Sequence, residues 1–127
     1  MKRVSITHVN NLHSDWLRSL DFYKQELDIL AGRLNEIAAK NTANEVQKQV
    51  EHYQNAITVQ RDNIDRLNHD IHTNITGISN AAHEDSAGYV DSTLLTQHYQ
   101  LHEQFTLEEK VINETRQGFM RFAAEWM

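Results

Sequence analysis

A chain of 127 residues with no cysteine, no proline and four glycines has the size of one domain and lacks the turn residues that β-rich folds need at short intervals. The absence of any thiol excludes disulfides, thiolate metal sites and a cysteine nucleophile. A formal charge of −6, from 18 acidic and 12 basic residues, with the basic ones scattered from Lys2 to Arg121, argues against nucleic acid and anionic membrane as partners, because both require clustered cations.

Residues 1–11 are polar and mixed, and are expected to form an N-terminal tail. Lys2 and Arg3 are not followed by the apolar run of a secretion signal, and no stretch is apolar for the roughly 18 residues a membrane span needs, so a cytoplasmic location is expected. From residue 12 a heptad pattern begins. His13, Trp16, Leu20, Tyr23, Leu27, Leu30, Leu34 and Ile37 alternate three and four apart, predicting a helix over about 12–40. Phe22 and Ile29 form a side stripe that would widen its buried face.

Asn41 to Asn44 breaks the pattern, and Thr42 with Glu45 three residues later has the form of a capping box that opens a second helix. That helix, about 43–76, carries the longest beat in the chain: Val46, Val50, Tyr53, Ile57, Gln60, Ile64, Leu67 and Ile71, with Ile75 and Ile78 after them. Gly77 is a candidate for its left-handed closing residue. A small, polar stretch at about 79–91 predicts a loop. Leu94, His98, Leu101, Phe105, Glu108, Ile112, Thr115, Phe119, Phe122 and Trp126 then predict a third helix over about 92–126. The late cluster of Phe119, Met120, Phe122, Ala123, Trp126 and Met127 would either cover the first turn or form a dimer contact.

Three long heptad helices joined by one short and one longer connection predict an all-α, up-down-up antiparallel three-helix bundle within one domain, 1–127. In outline this resembles a spectrin repeat, which also sets a tryptophan in the first of three long helices; the likeness concerns architecture alone.

Alignment of the helices about a turn near residue 42, with Gln60 matched to Glu108, brings the polar residues of the seams to two heights. Tyr23, Gln60 and Glu108 would share a polar core layer, in which a carboxylate left unpaired would cost several kcal/mol. His13, His72 and His98, with His102 one turn beyond His98, would gather near the loop end. Imidazoles four apart on a helix can hold zinc or another divalent transition metal, with Asp15, Asp70 or Glu103 completing the set. Gly32 and Gly118 interrupt helices at a cost of roughly 1 kcal/mol each; mere tolerance by the helix is the expected account, and the close approach of a partner the alternative.

The chain contains no Gly-rich phosphate loop, no Gly-x-Ser-x-Gly and no His-Glu-x-x-His, so no catalytic residues are assigned. The expected function is that of a small non-enzymatic bundle acting through its surfaces as an interaction or structural module, self-associating or bound to another protein, with no cofactor. The alternative is a metal-binding bundle using His13, His72, His98 and His102.

Overall fold

The computed structural model describes residues 4–84 and 89–127. Three helices, α1 (Ile6–Lys40), α2 (Asn44–Glu84) and α3 (Ser92–Trp126), all pack against one another as an up-down-up bundle, and no strand occurs among the described residues. The heptad seams supply the core. Trp16, Leu20, Leu27, Leu34 and Ile37 meet Val46, Val50, Ile57, Ile64 and Ile71 of α2 and Ile112, Phe119 and Phe122 of α3.

At the far end of the bundle α1 and α2 are both longer than predicted, while α3 has the predicted range. The chain up to residue 11 is not all tail: Ser5 caps α1, its hydroxyl accepting from the His8 N–H, and Ile6 begins the helix. Val9 is fully buried in a small second core with Ile78 and Leu95. A hydrogen bond from Val90 N to Val4 O at 3.1 Å and an isolated bridge between Ser5 and Tyr89 hold the start of α1 against the approach to α3. Gly77 does not end α2, which continues to Glu84. The first part of the predicted loop, 79–84, is therefore helix, and 85–88 lie outside the described residues. A Cβ at Gly77 would stand 3.0 Å from Leu94 Cδ2, so this glycine serves the close approach of α3. The extra turns of α1 and α2 exist because Val9 and Ile78 have this additional layer to bury into.

At the near end, Thr42 and Glu45 make no side-chain hydrogen bond among the described residues; two amides close the turn in place of the predicted box. Asn41 Nδ2 donates to Ile37 O and Trp126 O, and Gln47 Nε2 donates to Ala38 O and Asn41 O. These amides satisfy carbonyls that the end of α1 leaves free. Phe119, Phe122 and Ala123 are buried and Trp126 packs on the same core, so the late aromatic cluster covers the first turn while Met120 and Met127 stay exposed.

Ion pairs report the register. With a turn centred near 42, position 24 would face 61, yet Lys24 pairs with Asp65 at 2.7 Å, and Asp28 pairs with Arg61. Exposed pairs of this kind add little stability, but they mark α1 and α2 as offset by about one helical turn from the predicted alignment. α2 and α3 are offset in the same sense, Gln60 meeting Thr115 and not Glu108. The two displacements largely cancel across α2, so the parallel neighbours α1 and α3 keep nearly the predicted match.

Gly32 faces open space, where an added methyl would meet nothing within 4 Å, whereas Gly118 lies under the Tyr53 hydroxyl, 3.0 Å from the place its Cβ would take. Close packing therefore accounts for Gly118 and not for Gly32. Gly32→Ala is expected to stabilise the protein by about 1 kcal/mol through helix propensity alone. Urea unfolding would show it, and an unchanged or lower midpoint would contradict it.

Candidate functional site

The two predicted polar clusters meet different outcomes. Tyr23, Gln60 and Glu108 do not form one layer. The Tyr23 hydroxyl donates to Glu109 Oε2 at 2.6 Å, one residue along from the expected partner, and burial together with that carboxylate pushes the phenol up to about 12. Gln60 Nε2 donates to Thr115 Oγ1, a heptad beyond Glu108. Glu108 is 8 % exposed on the α2/α3 flank. Its Oε1 is buried without a partner, and burial raises its pKa against the opposing pull of the Asn63 amide beside it. The α2/α3 offset separates Gln60 from Glu108, so each polar group finds its own partner or none.

The histidine cluster is partly assembled. His13 and His98 are 0 % and 2 % exposed and face each other across the α1/α3 seam, with His98 Nδ1 and His13 Nε2 3.0 Å apart. Trp16 closes over them. Its ring stacks on His98 at 4.9 Å between centroids and 18° between planes, meets His13 at 5.3 Å, and takes the edge of His102 at 5.4 Å. Phe105 stacks on the same indole at 5.8 Å. His72 does not join them. It lies one position past the buried Ile71 and is exposed, so α2 instead contributes Asn74, whose Nδ2 donates to Leu94 O at 3.2 Å. The described residues contain no group of three or more His, Asp or Glu side chains arranged to hold a metal ion. The predicted four-histidine metal set is therefore not gathered, because the α2 offset and the phase of His72 both carry it away.

Buried imidazoles favour the neutral form, since charge is poorly solvated there. Burial lowers His13 from 6.5 to about 4, with the neighbouring His98 adding to the fall. His98 is lowered by burial and then by His102 and His8. Two neutral imidazoles joined by one hydrogen bond share one proton on that bond, and its direction follows from the remaining nitrogens. His13 Nδ1 is buried with no partner. An orphaned buried N–H is the rarer and more costly state, so this nitrogen is assigned the bare lone pair. His13 Nε2–H then donates to His98 Nδ1, and His98 carries its own proton on Nε2.

His98 also borders a groove of about 530 Å³ between the first turns of α1 and α3, lined by Val4, Ser5, His8, Leu12, Tyr89, Tyr99 and His102 as well. His98 is legible in the sequence through its seam phase and His102 through its place one turn beyond His98. His8 falls in the expected tail and Tyr99 on the solvent side of α3, so neither carries a signal.

A second feature lies further along the same flank. Phe22 and Ile29, expected to widen the buried face, are 53 % and 59 % exposed, as is Met120 of α3 at 59 %. Ile29, Arg33 and Met120 rim a shallow groove beside the bidentate pair of Arg116 with Glu26, at 2.8 and 2.9 Å. No helix among the described residues is long and apolar enough to cross a membrane. No family model, curated protein or solved structure matches the chain.

Proposed function

We propose that this protein is a non-enzymatic helical-bundle module that acts through its α1/α3 flank, where two copies of the chain pair. The observation that carries the reading is the row Phe22, Glu26, Ile29 and Arg33, spaced four, three and four apart along one line of α1, with its two apolar members more than half exposed. Large exposed apolar residues aligned with one another mark contact surfaces.

The row is also self-complementary. A twofold axis passing close to Ile29 sets α1 antiparallel to its copy, Ile29 near its own mate, and Glu26 of one chain near Arg33 of the other, as an isologous contact requires. Arg33 has no ion-pair partner among the described residues, leaving its guanidinium available for such a contact. The non-enzymatic part of the reading is supported by the buried imidazoles: His13 and His98 are engaged with each other.

Sedimentation velocity from about 5 µM to about 500 µM tests the pairing, since association must follow mass action. The wild type is expected to shift from monomer to dimer, and Phe22→Glu with Ile29→Glu to stay monomeric with an unchanged helical spectrum. A wild type that remains monomeric throughout, or a double variant that dimerises equally well, overturns the proposal.

A further inference from the structure

The groove at the other end of the α1/α3 flank has a composition unlike the rest of the surface. Among the described residues no carboxylate lines it; its walls are three imidazoles, two phenols, Val4, Leu12 and Ser5. At about 530 Å³ it falls within the range of sites that take small molecules. Its deepest polar group is His98, 2 % exposed, whose Nδ1 is already committed to His13 at 3.0 Å. The ring nitrogen not used by His13 is Nε2, and the unpartnered His13 Nδ1 favours the tautomer in which that nitrogen is the donor.

We propose that this groove binds a small aromatic carboxylate, its ring against Leu12 and Tyr99 and its carboxylate accepting from His98 Nε2–H, with His8 and His102 beside it. Each part of the ligand follows from a part of the wall. The N–H that the groove-lining His98 ring keeps free of His13 selects an acceptor, and a charged acceptor makes the stronger bond. Two further imidazoles in the lining, with no acid among its described residues, favour an anion over a cation. The flat phenol and aliphatic surfaces favour a ring over a bare anion such as phosphate. Trp16, stacked on His98 at 4.9 Å, holds the imidazole plane, so the donor is set before a ligand arrives. The inference is independent of the pairing proposed above, which uses residues about two turns and more away on α1.

Titration of the full chain with sodium benzoate, followed through the histidine ring resonances, is the test, and it can be run on the Phe22→Glu and Ile29→Glu double variant so that dimerisation does not enter. A saturable shift of the His98 and His102 signals is expected, with a Kd of about 1 mM, as suits a ligand of this size. Tyr99→Ala and His8→Gln, both at exposed positions, should each weaken binding at least about fivefold while the helical spectrum stays unchanged. Benzyl alcohol and inorganic phosphate should each fail to saturate these shifts. The proposal is overturned if benzoate gives no saturable shift, if benzyl alcohol or phosphate binds as well as benzoate, or if both variants bind benzoate like the parent.

Discussion

Acidification from about pH 7.5 to about pH 5 is expected to cost the protein about 2 kcal/mol through His13 alone, and about 3 kcal/mol by pH 4. The sign follows from the buried pair. His13 is held at about 4 in the folded protein against 6.5 when exposed, so between those values the unfolded chain binds the proton and the folded chain does not. Stability is therefore fully present above the unfolded value and falls as the pH drops through the window. His98 is lowered too and acts in the same sense. Glu108 acts oppositely: its raised pKa means that the folded chain takes up its proton first, contributing stability at low pH that is lost as the pH rises. With two imidazoles against one carboxyl, the histidines set the slope. Urea midpoints at several pH values measure it, and the double variant His13→Leu with His98→Leu isolates it, because replacing both partners leaves no orphaned nitrogen. The variant should show a much flatter profile over the window. An equally steep loss in that variant would place the acid sensitivity elsewhere.

Trp16→Ala is expected to be the most damaging single substitution at this end of the bundle, at about 3 to 5 kcal/mol. The indole is buried, stacks on His98 and Phe105, and meets His13 and His102. Its removal opens a cavity and also lets water reach an imidazole pair whose hydrogen bond depends on dryness. The two effects separate in a cycle with the His13→Leu and His98→Leu double variant. If the indole supports the pair, Trp16→Ala should cost less when the pair is already gone, and should flatten the acid profile of the parent. A cost below about 1 kcal/mol, or an acid profile unaltered by the loss of the ring, would contradict this account.

What the sequence reveals and what it conceals divide along a physical line. The seams are legible because burial of one edge of a helix imposes a heptad pattern, and even the polar members His13, Gln60, His98 and Glu108 lie buried where their phase places them. The axial offset is not legible. Sliding one helix past another by a turn leaves every apolar edge facing inward, so hydropathy does not distinguish the two alignments. Gln60 with Glu108 is one such choice; Gln60 with Thr115 is the structure's. The His13 and His98 match survives because α1 and α3 are each displaced relative to α2 and hardly relative to each other.

Other differences have local causes. Gly77 has the residue type of a helix end, yet the tertiary demand to bury Ile78 beneath Leu95 carries α2 past it. Val9 stands among polar neighbours, which hide the turn of helix that it anchors. His72 is recoverable, since a position next to Ile71 on the seam points away from it. Phe22 and Ile29 show the reverse case. Their hydrophobicity suggests burial, yet no helix among the described residues covers them.

The parallel pairing of α1 and α3 also bears on the order in which the bundle assembles. Each link across it, His98 with His13, Tyr23 with Glu109 and Arg116 with Glu26, joins residues 85, 86 and 90 positions apart, whereas α1 and α2 zip outward from a three-residue corner. Loop closure makes such distant links late to form. An outer helix, α1 or α3, is thus the piece whose departure leaves a hairpin behind, and the buried imidazole pair closes only when both are in place.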